Sequence, residues 1–414
     1  MKGVLVILSG LGDLPCKQLG EKTPLEVAKM PNLGFLSARG ELGFMHSVKP
    51  GFIPELDEAI VSIFGNNLLS STLGQLEAKG ADLKLTRGDL ALRVNFATID
   101  NETNGNIIDR RSGRTLTNSE AEILTRAINS KIKLSVNFEF VPTIQHRGVL
   151  VFRGGFSDNV TGNDSIYFHG RSREVNKIST CKAMDDDENS QYTANVLNEF
   201  LNQAHGILNN HPVNEERRKK GLMPANYLLI RGAGIETPKL KFYKKWASVS
   251  YMPLERGFSK LSGMKVFSFD YPKLTGLDSY KNFYEGLEKA CKFSIKTIKK
   301  NKNTSDYIYI HIRETDLPGH DNKPHERVAM LEYIDKTLFK FLRKFAPPNK
   351  IKVLVTSDHS TPCKLKSHST EPVPVLLYND SKPKEKIFCE KEARKGTLGG
   401  IVGGGLLKKV GFTK

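Results

Sequence analysis

Apolar runs of strand length recur along the chain, and several break into a polar turn that carries acidic or imidazole side chains. VLVIL (4–8) gives way to SGLGD, YIYIHI (307–312) to RETDLPGHD, and KVLVT (352–356) to SDHSTP. YLLIRG (227–232), KVFSF (265–269) and VPVLLY (373–378) share this continuous apolar character. Runs without polar alternation predict strands covered on both faces, hence an α/β fold around a mainly parallel sheet. Loops at the carboxyl ends of such strands escape the covering helices, so polar chemistry is expected there.

The middle of the chain has a different rhythm. Shorter strand patterns, LALRVNFATID (90–100) and GVLVFRGG (148–155), flank a helical pattern at SEAEILTRAINSKIK (119–133), and an acidic stretch, DDDENS (185–190), follows. This predicts an inserted α+β cap at 86–219 within a core formed by 1–85 and 220–414, with AHGILNNHPVNEERRKKGLMPAN (204–226) as the return linker. GGIVGGGLL (399–407) reads as a flexible glycine loop, because it lacks the GxxxxGK[ST] pattern of a phosphate cradle.

Composition adds three constraints. At 414 residues the chain exceeds one ordinary compact domain, and no 18-residue apolar stretch suggests a membrane span. Cys16, Cys181, Cys291, Cys363 and Cys389 are widely spaced without a CxxC pair, so neither a thiolate zinc site nor a disulfide framework is indicated, and reduced thiols in a cytoplasmic protein are expected. The excess of 62 basic over 45 acidic residues gives +17. It gathers in EERRKKG (215–221), KLKFYKK (239–245), KACKFSIKTIKKNKNTS (289–305) and KTLFKFLRKFAPPNKIK (336–352). Such clusters are either a solvated cationic surface or a face for a polyanion, RNA or a ribosome, although no RRM, KH or zinc-knuckle pattern accompanies them.

The strongest chemical signal is IHIRETDLPGHD (310–321), in which Asp316 and His320 stand four residues apart. A second strand ends in TSDHSTP (356–362), bringing Asp358 and His359, and His368 follows. These three imidazoles and two carboxylates from neighbouring strand ends form a candidate two-metal cluster for divalent ions (Mn, Zn, Mg or Co), whose use would be to clamp and polarise a phosphoryl group and activate an oxygen nucleophile.

These loops, with GEKTPLEVAKMPNL (20–33), NFATID (95–100), DRRSGR (109–114), HRGVLVFRG (146–154), HPVNEERRKKGLMPAN (211–226), RGAG (231–234) and HSTEPVPVLLY (368–378), give the chain a family resemblance. It resembles, over nearly its whole length, the archaeal-type cofactor-independent phosphoglycerate mutases of the alkaline-phosphatase superfamily. The resemblance implies an alkaline-phosphatase-like core with a cap, and a serine that is transiently phosphorylated between two metal ions. One metal would be held by Asp316, His320 and His368, while Asp358 and His359 would contribute to the other. Arg110, Arg111, Arg114 and Arg231 would grip the substrate's carboxylate and phosphate.

The sequence departs from that pattern where the chemistry lies. Ser9 replaces the first Asp of the family's DGLGD, and the nucleophilic serine's place in PGFIPELDEAI (50–60) is Leu56. A lysine expected after the RGAG strand is missing near Val249, and the DTDPH loop becomes GNDSIYFHG (162–170), leaving Asp164 and His169. Leucine offers no oxygen for attack on phosphorus. The reading is therefore a catalytically degenerate homologue that binds rather than turns over, with at most one divalent ion and an RNA or ribosomal partner through its basic segments. The alternative is an active mutase, or a phosphohydrolase that uses a metal-bound water. A third reading is a sensor for a phosphorylated small molecule.

Overall fold

The computed structural model describes residues 1–67, 73–101, 103–164, 167–168, 171–172, 176–274 and 276–414. Eight strands form the main sheet in the order Lys265–Phe267, Trp246–Val249, Tyr307–Ile312, Gly3–Leu8, Lys352–Thr356, Val373–Tyr378, Gly40–His46 and Gly399–Val402. All run parallel except Val373–Tyr378, which pairs antiparallel with both neighbours. Gly3–Leu8 lies near the centre and is buried at all six positions, as its unbroken apolar run requires. Its alternate residues feed two cores, one containing Val4, Val6 and Leu8, the other Leu5 and Ile7.

A second sheet is antiparallel throughout. Leu90–Ile99 pairs with Ile107–Asp109, Arg147–Phe152 and Tyr227–Gly234, and Phe138–Pro142 extends it at the far edge. Leu90, Leu92, Val94 and Phe96 face helices Asn118–Lys131 and Glu188–Asn209 in a third core. The opposite face carries Arg93, whose guanidinium meets Glu77 of helix Leu73–Gly80 at 3.5 Å.

Several expectations are corrected by these pairings. YLLIRG reads as a main-sheet strand, but Tyr227–Gly234 pairs with Leu90–Ile99, so the second sheet draws on residues beyond 219. The glycine run near the end is an edge strand at Gly399–Val402, because Gly43 and Gly400 let neighbouring chain approach closely: a Cβ on Gly43 would lie 2.7 Å from the Gly399 carbonyl oxygen. The return linker is helical, ending Glu188–Asn209 and continuing as Pro212–Lys219, in which Arg217 is buried against Glu120 rather than solvated. The acidic stretch before it supplies Asp187, the N-cap. All five cysteines are free and buried. Among the described residues no helix is long and apolar enough to cross a membrane.

The strand-end loops of the main sheet are held together by Arg327 of helix Pro324–Ile334, a side chain with no solvent exposure. Its Nη1 meets Asp13 Oδ2 of the SGLGD turn at 2.6 Å, Nε donates to the Thr315 carbonyl at 3.1 Å, and Nη2 donates to the Thr361 carbonyl at 3.1 Å. Removing one partner of a buried ion pair strands the other charge. Arg327→Met is therefore expected to lower stability in denaturant unfolding by about 3–5 kcal/mol.

Candidate functional site

Three strand ends converge where those loops meet. The first strand ends at Leu8, and Gly10 turns the chain with a left-handed φ of 63°. No side chain fits there, since a Cβ would stand 2.4 Å from Asp316 Oδ1. The adjacent parallel strands deliver Asp316 after Ile312 and Asp358–His359 after Thr356, and His368 comes from the connection to the antiparallel strand.

Asp316, His359 and His368 place donor atoms within 4.8 Å of one another. His320 approaches the same carboxylate, with Nε2 at 3.3 Å from Asp316 Oδ2. In each imidazole Nδ1 is turned to an oxygen: the Lys366 carbonyl for His320 at 3.1 Å, Thr361 Oγ1 for His359 at 3.0 Å, and the Pro54 carbonyl for His368 at 2.9 Å. A proton on Nδ1 leaves Nε2 with a lone pair. The His359 and His368 rings stack with centroids 3.7 Å apart. Burial, then the neighbouring imidazole, keeps His368 down at about 3, and burial also lowers His359. Burial alone would raise Asp316, but the His320, His359 and His368 rings around it hold its carboxyl well below the usual range. Neutral imidazoles beside an ionised carboxylate are the donor set a divalent cation takes, so these residues fit one metal ion.

Asp358 adjoins this cluster, its Oδ2 lying 3.5 Å from His359 Nε2. Its Oδ2 receives Ser9 Oγ at 2.7 Å and His311 Nε2 at 3.2 Å, with Arg313 Nη1 at 3.4 Å. Thus His359 stands between two groups, Asp316, His320 and His368 on one side and Asp358 with Ser9, His311 and Arg313 on the other. His311 and Arg313 carry no metal-type spacing in sequence, and their only early signal was adjacency to the RETD loop.

Leu56 opens helix Leu56–Ile63 and is buried in the core that includes Ile60 and Phe64. Glu55 caps that helix and pairs with Arg231 at 3.2 Å, while Glu58 accepts from the Glu55 backbone N–H at 2.8 Å. Of the four arginines expected to clamp an anion, Arg111 and Arg114 line a cavity beside Asp316 and Arg313. Arg114 is also braced by Asp321 at 2.6 Å, whereas Arg110 pairs with Asp164 and Arg231 with Glu55. Arg147 and His146 line the same cavity and were not singled out in the sequence, although both stand in HRGVLVFRG. Burial, followed by the Arg93 and Arg313 charges, pushes Arg147 down to about 9, and burial with Arg114 nearby brings Arg111 to about 10. No ion pair among the described residues engages either one. Guanidiniums without a carboxylate in ion-pair reach on a cavity wall suit an anion. Val249, near the expected lysine, is a fully buried strand residue, and His169 lies outside the described residues.

Comparison with known proteins accords with this geometry. A family model described as 2,3-bisphosphoglycerate-independent phosphoglycerate mutase matches residues 37–214. The enzyme of that name from Thermococcus kodakarensis is 37% identical over 412 residues, covering 97% of this chain and 94% of that protein. The Pyrococcus furiosus enzyme is 38% identical over 411 residues, with 97% and 94% covered. Among solved structures, a Pyrococcus horikoshii protein superposes with a TM-score of 0.74 at 29% identity, covering 100% of this chain and 98% of that one. The cofactor-independent phosphoglycerate mutase from Thermoplasma acidophilum gives 0.55 at 28% identity, covering 99% and 98%.

The acidic turn around Leu56 yields a pH signature. Burial, then Asp57, raises Glu58 to about 8, and burial with Glu55 raises Asp57 to about 6. A carboxyl raised in the folded state binds more protons folded than unfolded, so it contributes most below its unfolded value and loses that contribution as pH climbs to the folded one. Thermal melts from pH 5 to 9 should show stability falling with pH, and Glu58→Gln, which keeps the capping acceptor, should flatten that fall by on the order of 1 kcal/mol.

Proposed function

The chain belongs to the 2,3-bisphosphoglycerate-independent phosphoglycerate mutase family, and from that premise we propose that it binds a phosphoglycerate-type acid beside a single divalent ion and does not turn it over. The observation that carries this is Leu56: the side chain at the serine's place is packed in the core with Ile60 and Phe64, and it supplies neither a nucleophile nor a metal-binding oxygen. Asp316, His359 and His368, with His320 beside them, would hold the ion, which when bound polarises a phosphoryl oxygen. Arg111, Arg114 and Arg147 grip the anion, and the planar guanidinium fork suits both a carboxylate and a phosphate.

The second reading is an active phosphoglycerate mutase, or a metal-dependent phosphohydrolase. The relatives favour it, since curated proteins 35–38% identical to this chain bear the mutase name, and so does the metal-type cluster. An enolase-coupled assay on manganese-loaded protein separates the two. Our reading expects no mutase turnover while 3-phosphoglycerate raises the melting temperature in a concentration-dependent way. Turnover at roughly 1 to 1,000 per second overturns it. Leu56→Ser alone should leave the protein inactive.

The basic segments support a further partner of the same protein. Helix Ser279–Asn301 leaves Lys292, Lys296, Lys299 and Lys300 exposed, and the helical turns Asp335–Phe339 and Lys340–Phe345 leave Lys336, Lys340 and Lys344 exposed. Lys299 lies 5.4 Å over Phe341 and Lys302 5.8 Å over Phe345, which joins the two rows into one cationic face. RNA or a ribosomal surface is the proposed occupant. Binding to a single-stranded RNA should weaken with salt, with a log–log slope of about 0.7 per phosphate neutralised, and a flat salt response would remove this partner.

A further inference from the structure

The second metal position of the family does not fit this chain's residues, and that disagreement has a structural content of its own. A second ion would need oxygen or nitrogen lone pairs around Asp358. Asp358 has few to offer. Oδ1 already accepts from the Gly10 N–H at 2.9 Å, the His359 N–H at 2.8 Å and Ser357 Oγ at 3.2 Å, and Oδ2 is taken by Ser9 and His311 with Arg313 close by, while the His359 Nε2 that lies 3.5 Å from Oδ2 is also within the Asp316 cluster. Ser9 Oγ gives its proton to Asp358 and accepts from Arg313 Nη1 at 2.5 Å. Glu255, which is buried, takes Arg313 Nε at 3.1 Å and fixes the plane of the fork.

We propose that the Arg313 guanidinium is a built-in cation that occupies the place of the second metal ion, with Ser9 as the neutral partner that makes room for it. Charge decides the pairing. Serine at position 9 removes one negative charge from this place, leaving the Arg313 guanidinium between Asp358 at 3.4 Å and Glu255 at 3.1 Å. An arginine cannot dissociate or be chelated, so this half of the site is charged whether or not metal is available. Arg313 also lines the cavity with Arg111 and Arg114, so its charge faces the same anion that the metal at Asp316 would meet. The inference rests on the one-metal reading above and deepens it by naming the side chain that excludes the second ion.

The test is manganese stoichiometry by elemental analysis, with electron paramagnetic resonance to detect coupled ion pairs. Wild-type protein should hold one tightly bound ion and show no coupled-pair signal. Ser9→Asp should still hold one, because the guanidinium remains. Ser9→Asp with Arg313→Ala should hold two and show coupling. Two ions in wild type or in Ser9→Asp overturn the proposal, as does a double variant that melts cooperatively yet still holds one. If the double variant does not fold, the counts for wild type and Ser9→Asp decide alone. A wild-type protein that turns over 3-phosphoglycerate with one bound ion would overturn the proposed function and leave this assignment standing.

Discussion

A single buried guanidinium sets the geometry of everything functional in this molecule. Arg327 takes an ion pair from the first strand-end loop and carbonyls from two others, so the three loops that carry the site share one anchor. Asp13 completes the arrangement by accepting also from the Cys363 N–H at 3.0 Å. A charge so deep is tolerated because each of its nitrogens is matched. The consequence is that Ser9, Asp316 and His359 have little freedom to drift, and small changes of side chain between them act as changes of chemistry rather than of fold.

Within that frame the site divides by charge. On one side, burial favours the neutral form of His359 and His368, which stand beside the Asp316 carboxylate. On the other, Asp358 is satisfied by hydrogen bonds and faced by Arg313. Beyond both lies a wall whose Arg111 and Arg147 have no carboxylate partner in any described ion pair, a surplus that a bound anion would neutralise. A cation beside Asp316 and an anion against the arginines would each cancel a charge the protein leaves open, and their adjacency makes binding of one favour the other.

Much of the fold was legible because continuous apolar runs have one stable use, a strand covered on both faces. Gly3–Leu8, Tyr307–Ile312 and Lys352–Thr356 fall where the pattern puts them, and the loops after them carry Asp316, Asp358 and His359. What escaped is non-local. Tyr227–Gly234 has the same apolar character but a different partner, and the Gly399–Val402 strand exists through close backbone approach that glycine composition alone reads as flexibility. Arg313 and Arg147 were hidden for a related reason: Arg313 takes its role from Glu255 and Asp358, which are distant in sequence, and Arg147 from having no carboxylate in ion-pair reach among the described residues.

The departures from the family's chemistry are also mutually consistent as physics. Leu56 puts an aliphatic side chain among Ile60 and Phe64, which favours the packed turn whether or not a ligand is present. Arg313 and Ser9 settle Asp358 without a second ion. Metal sites couple folding to metal supply, since a carboxylate pair without its ion repels. In the reading proposed here, Leu56 and the Ser9–Arg313 pair each free one half of the site from that dependence, while the Asp316 half keeps it. On that proposal the core and the arginine wall stand without a second ion, and the remaining sensitivity to metal is confined to the cluster around Asp316.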